Sequence, residues 1–192
     1  MTPPRLSVTW FVAPAQTAHE LIRAWCAATV SDVGDRFTLL EQVGDGRGQL
    51  SSGLGAAVIG PERFEAGDGW WTSSHTANFR LRSTSPPTSD PEPGNSPFLL
   101  LTRTYVPEPM RNEYREWLEQ EHSQRQLTVP GNEWYLGYEE EGARHSFMNL
   151  WGLVEPDIAE GEAWDQARLT PWRERMRPAM ADMDRAIYRP IR

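Results

Sequence analysis

Apolar residues in the second half of the chain change their spacing repeatedly, and each change predicts an element. From Phe98, "FLLLTRTYVP" is a short, nearly continuous apolar run, which predicts a buried strand. In "EPMRNEYREWLEQEH" the apolar residues Met110, Tyr114, Trp117 and Leu118 fall at helical spacing, and Pro109 suits the first turn. Pro130 and Gly131 in "LTVPG" stop that helix. "NEWYLGYEEE" and "SFMNLWGLV" then read as a hairpin with a polar turn over residues 141–145. A second helical region starts at Pro156, runs through "DIAEGEAWDQARL" and restarts at "TPWRERMRPAMADM", with Thr170 as N-cap and Pro171 at the first position. "RAIYRPI" supplies a last strand. The order β-α-β-β-α-β is that of a ferredoxin-like unit.

The first half carries a weaker copy of the same pattern. "RLSVTWFVAP", "RFTLLEQV", "GAAVIG" and "HTANFRLRS" read as strands, and "AQTAHELIRAWCAATV" as the first helix. Where a second helix belongs, "PERFEAGDGWW" offers barely one helical turn. Between the halves, "SPPTSDPEPGNSP" holds almost no apolar residue and reads as a linker without a packed element. The expected organisation is therefore a degenerate unit over residues 1–84, a linker over 85–97 and a second unit over 98–192. Each four-stranded antiparallel sheet covers one face with helices and leaves the other bare. Pairing of the two bare faces predicts an α+β fold in which tandem units form an intrachain, pseudo-dimeric α/β barrel.

Charge narrows the function classes. The formal net charge is -8 and all 19 basic residues are arginines, scattered along the chain. Bulk electrostatics thus argues against nucleic acid or an anionic membrane as partner. Without lysine there is no Schiff-base or P-loop chemistry. Cys26 is the single cysteine, so no internal disulfide or thiolate cluster forms, and it reads as a small buried hydrophobe. The start "MTPPRLSVTW" has no signal-peptide character, no run reaches membrane-spanning length, and the expected location is the cytoplasm. The glycines of "GDGRGQLSSGLG" lack phosphate-loop spacing and read as a hairpin loop.

The second half resembles the dimeric α/β-barrel superfamily, in particular its EthD-like members. The likeness rests on "EWLEQEH" with "LTVPG", on "WYLGYE", and on "AWDQARLTPWRERMRP" with "IYRPI". It implies a cavity used elsewhere in that superfamily by polyketide cyclases, lactone isomerases, cofactor-free monooxygenases, dehydratases and some haem proteins. It also implies a cavity-facing histidine near the end of the first helix, a placement matched only by His122.

His122 has an ordinary pKa of about 6.5 and can exchange a proton near neutrality. Placed at a helix C-terminus beside Glu119 and Glu121, it should favour its protonated form and act as a general acid. The competing reading is a helix cap. Glu121 or Glu119 would orient the ring, although Glu119 also fits a solvated acidic face. On "FLLLTRTYV", Arg103 and Tyr105 share one face and Thr102 and Thr104 the other. If the first pair points inward, it offers a charge and a phenol to an oxyanion. Asn149 is a buried polar residue in need of a partner, either ligand or backbone. Nine tryptophans in 192 residues is high, and Trp10, Trp134 and Trp151 are the expected aromatic walls for a flat ligand, although each also fits plain core filling. Trp70 and Trp71 read as covering a cavity mouth or an interface. His19, His75 and His145 read as solvent-facing. "EQEH" lacks the second Glu/His pair that a carboxylate-bridged metal site needs, so neither metal nor cofactor is expected.

These features lead to an expected small-molecule enzyme acting on an aromatic or polyketide-like substrate by proton transfer, of cyclase or isomerase type. The alternatives are a non-catalytic binder of an apolar metabolite, and haem-linked or cofactor-free oxygenase chemistry. The expected state is a monomer with an intrachain barrel, or a homodimer.

Overall fold

The computed structural model describes residues 5–12, 24–25, 28–29, 37–44, 55–65, 71, 73–84, 91–140 and 146–191. Its strands are β1 (Arg5–Val12), β2 (Thr38–Gly44), β3 (Gly55–Gly60), β4 (Ser73–Thr84), β5 (Phe98–Tyr105), β6 (Asn132–Glu140), β7 (Ser146–Leu153) and β8 (Met183–Ile191). They close in the order β1-β3-β2-β8-β5-β7-β6-β4, with β4 returning to β1. Every pairing is antiparallel. One chain thus completes the barrel without a strand from a second copy.

Within the first half the spatial order is fourth, first, third, second, and within the second half it is the same. The two halves join through hydrogen-bonded edges, β2 to β8 and β4 to β6. The registers also agree. Trp10 pairs with His75 and Ala57, as Arg103 pairs with Asp184 and Met148. Across one seam Leu40 meets Pro190, and across the other Tyr138 meets Leu81.

Alternation of side chains along a strand decides which layer each residue joins. On β5, Leu99 and Leu101 face inward with Val8, Leu40, Phe79 and Leu150. Leu100 faces outward, where Trp151, Leu153 and Ile187 meet Val129 and Trp164 from the helical layer. That layer contains α1 (Arg111–Trp117), a π-helical turn over Leu118–His122, and α2 (Ser123–Gln126). It continues with α3 (Glu162–Ala167) and α4 (Pro171–Met176). Thr170 caps α4 as its sequence suggests, its hydroxyl accepting from the Arg173 amide at 3.0 Å. Among the described residues, no helix is long and apolar enough to cross a membrane.

The first half covers its outer face differently. Ala24, Trp25, Ala28 and Thr29 are helical, whereas residues 61–65 form no helical turn. Phe64 and Trp71 pack on Phe11 and Trp25 on this face. The Phe11 and Trp71 rings lie 4.8 Å apart, so Trp71 belongs to this aromatic layer and does not cover a cavity mouth. Trp70, Cys26, His19, His145 and most of the glycine-rich loop lie outside the described residues.

The end of the expected linker is also built into the fold. Ser96 is buried, accepts from the Trp134 indole at 2.8 Å and donates to Glu133 at 2.8 Å. A side chain at Gly152 would overlap both the Trp134 indole and the Ser96 hydroxyl. Gly152→Ala is therefore expected to destabilise the barrel by about 1–3 kcal/mol through overpacking. The check is urea unfolding, where the midpoint should fall with little change in slope; an unaltered midpoint would mean that the indole yields freely.

Candidate functional site

The helix bearing His122 does not end there. The π-helical turn runs directly into α2, so the ring sits one turn before the helix end, where the C-terminal dipole is weaker than expected. The imidazole stacks on Trp117 at 4.3 Å and meets the edge of Trp151 at 5.8 Å. Burial, followed by the charges of Arg173 and Arg168, pushes its pKa down to about 3. This reverses the sequence expectation: at neutral pH the ring is neutral, and its unprotonated nitrogen is a weak base. No side chain among the described residues forms a hydrogen bond to it.

Neither neighbouring acid orients the imidazole. Glu121 instead accepts from the Trp117 indole at 3.2 Å and from the Thr170 hydroxyl at 2.5 Å, tying the helix to the start of α4. Glu119 is exposed. Glu121 thus fixes the indole on which His122 rests and acts on the ring only through it.

His122 faces a crevice of about 70 Å³ between helices and sheet, whose lining includes Thr102, Tyr114, Asn149, Trp151, Arg168 and Arg173. Asn149 has found its partners in side chains, contrary to both sequence alternatives. Its Oδ1 accepts from Tyr135 at 2.9 Å, and its Nδ2 donates to Thr102 at 3.3 Å. Burial pushes the Tyr114 phenol up to about 12, with the nearby polar side chains of Thr104 and Asn149 opposing the shift. Arg168 and Arg173 pair with Asp165 and Glu174, which lie within their own helices. Met180 and Met183 are half-buried and also line the crevice.

Arg103 and Tyr105 lie on the other side of the sheet, at a barrel cavity of about 390 Å³ lined also by Trp10, His75, Leu101 and Tyr188. Arg103 is only 4% exposed. Its Nε donates to Ser146 at 2.9 Å, one terminal nitrogen donates to Glu140 at 2.9 Å, and the other lies 3.0 Å from His75 Nε2. A guanidinium only donates, so His75 accepts through Nε2 and carries its proton on Nδ1. The Arg103 guanidinium also packs against the rings of Tyr105 at 4.9 Å and Trp10 at 5.1 Å. Burial alone would raise the Glu140 carboxyl, but hydrogen bonds from Ser146 and Arg103 and the Arg103 charge outweigh it and hold it below its usual range.

The nine residues singled out in the sequence therefore divide. Arg103, Tyr105 and Trp10 meet at the barrel cavity, while His122, Asn149 and Trp151 meet at the crevice. Trp134 faces the barrel interior but fills its core, Glu121 ties the helix to α4, and Glu119 is exposed. Sequence reasoning missed His75, Glu140 and Ser146, whose roles depend on strand register: His75 lies opposite Trp10, and Ser146 opposite Tyr105. The period-2 pattern of "HTANFRLRS" was the available signal. Among the described residues, no group of three or more potential ligands is placed to hold a metal ion.

The depressed pKa of His122 has a pH signature. The unfolded chain takes up a proton near pH 6.5 that the folded chain refuses until about pH 3. This group therefore leaves stability intact above pH 6.5 and lowers it as pH falls below, by up to about 1.4 kcal/mol per pH unit. The His122 ring resonances are expected not to titrate between pH 8 and pH 5 by NMR. Titration near 6.5 would contradict the packing described.

No family model matches the sequence, and no curated protein matches it. Solved structures share the fold at low identity. An anthrone oxidase-like protein is 12% identical with a TM-score of 0.66, covering 100% of this chain and 94% of its own. A ferredoxin-fold protein related to antibiotic biosynthesis monooxygenases, from Listeria monocytogenes, is 10% identical with a TM-score of 0.57, covering 100% and 96%. A haem-degrading enzyme from the same species is 11% identical with a TM-score of 0.51, covering 95% and 98%. These likenesses place the chain with the ferredoxin-like α/β-barrel proteins at the level of fold, and do not single out the EthD-like branch.

Proposed function

We propose that the chain is a fused pseudo-dimer of two ferredoxin-like units and works as an enzyme on a flat, enolisable aromatic molecule. The shared strand order and register of the halves support the first part. The second rests on one observation: a neutral histidine without a hydrogen-bond partner among the described residues faces a crevice beside two arginines.

The chemistry is proton abstraction. His122 accepts a proton from an acidic C–H or O–H, and Arg168 and Arg173 stabilise the anion left behind. The same charges depress His122. Once negative charge develops between them, their effect on the imidazole is offset and the ring becomes the better base. Asn149 and Thr102 bring polar groups to the sheet side, and Trp117, Trp151 and Trp164 form aromatic walls. About 70 Å³ admits only the reacting edge of such a substrate; the rest displaces Met180 and Met183, whose unbranched side chains adapt readily.

The resulting enolate can rearrange within the substrate, as in a cyclase or isomerase, or react with dioxygen. The oxidase and monooxygenase names among the fold neighbours favour dioxygen. In that case a methylene becomes a carbonyl, with one O₂ consumed and one water released. The residues do not suit haem. His122 has a tryptophan stacked on one face and another at its edge, and His75 already engages Arg103 through Nε2.

Anthrone, whose methylene is acidic, is a suitable probe. Under argon, its hydrogen–deuterium exchange reads the proton step alone, and under air, oxygen uptake reads the oxidation of the enolate. His122→Ala is expected to slow the exchange by about 10²–10⁴-fold, while Glu119→Gln leaves it within about twofold. Exchange undiminished in His122→Ala would remove the mechanism.

A further inference from the structure

The larger cavity is not needed for proton transfer at His122, and its charged groups are arranged for binding. Arg103 is neutralised by Glu140, and His75 is engaged as an acceptor. A guanidinium has five N–H groups, and the hydrogen bonds to Ser146, His75 and Glu140 use three. One N–H on each terminal nitrogen remains without an acceptor among the described residues, on a side chain that lines about 390 Å³ of open space. That volume lies within the range of small-molecule sites.

The strand registers explain how this site came to be one-sided, a step that rests on the fused pseudo-dimer reading. With the halves superposed by register, Trp10 corresponds to Arg103, Gln42 to Glu140, Gly55 to Ser146 and His75 to Asp184. A homodimer would present each residue twice around the barrel axis. Here one half supplies the cation with its two anchors, and the other supplies the indole and the imidazole. Trp10 and His75 stack within 17° of parallel. The mouth therefore has one polar wall and one aromatic wall, which fixes a ligand in a single orientation.

We propose that this barrel mouth is a second ligand site, separate from the His122 crevice, for one neutral planar aromatic molecule carrying a carbonyl or phenolic oxygen. The oxygen accepts from the unused Arg103 N–H groups, and the ring system lies against Trp10 and Tyr105. A neutral ligand fits better than an anion, because Glu140 already balances Arg103 and Asp184 lines the same space.

The test is fluorescence titration of the full chain with 2-acetyl-6-hydroxynaphthalene, which is neutral below its phenol pKa and sensitive to its surroundings. One equivalent is expected to bind. Arg103→Met, and Ala186→Leu, which fills the cavity, should each weaken binding about tenfold or more, whereas His122→Ala should change it less than about twofold. 2-Ethylnaphthalene, lacking both oxygens, and naphthalene-2-carboxylate should each bind about tenfold more weakly. Should Arg103→Met fail to fold with Glu140 unpaired, Ala186→Leu carries the test, since it alters neither charge. No binding, binding unchanged in Ala186→Leu, binding lost in His122→Ala, or equal binding of either comparison compound would overturn the proposal. Any of these results leaves the anthrone exchange test of the crevice unaffected.

Discussion

Closure of the two seams, β2 to β8 and β4 to β6, is the constraint on which the rest of the structure depends. Once eight strands form a ring, every strand has one inward and one outward face, and residues next to each other in sequence enter different compartments. Thr102 faces the helices while Arg103 faces the axis. Asn149 and Met148 divide in the same way. The seams carry acid–arginine contacts of their own, Glu41 with Arg189 and Glu139 with Arg82. They also carry the register shifts at Gln42/Gly44 and Leu81/Ser83 that let edge strands of two sheets meet.

That geometry treats buried charge in two ways. At the axis, Arg103 is surrounded by a carboxylate, a hydroxyl, an imidazole and aromatic faces, so its charge is balanced where it stands. In the helical layer, the charges sit farther from a buried partner. Arg168 and Arg173 pair outward, the former with a carboxylate that is itself half-exposed, and their charges weigh on His122.

The C-terminal elements were legible because local signals agreed with one another. Thr170 with Pro171 marked a helix start, Pro130 with Gly131 a stop, and the runs at Phe98 and Ser146 two buried strands; each survives in the fold. The first half was less legible, since its outer face is covered in part by aromatic packing of Phe64 and Trp71, which leaves no periodic pattern. His122 was identifiable as the notable histidine. Its charge state was not, because burial and two arginines, one at the end of α3 and one in α4, outweigh the acids beside it in sequence.

The sequence by itself determined the order of elements, the ferredoxin-like pattern of the second unit, and the residue types available for chemistry: arginines without lysine, few histidines and many tryptophans. Tertiary structure decided which of them meet. Strand pairing placed His75 opposite Trp10 and beside Arg103 across 28 residues, and brought Arg168 and Arg173 to His122 from a separate helical region. Register and layer are properties of paired strands. A single strand's alternation fixes which residues share a face, but only its neighbours decide whether that face looks toward the axis or the helices.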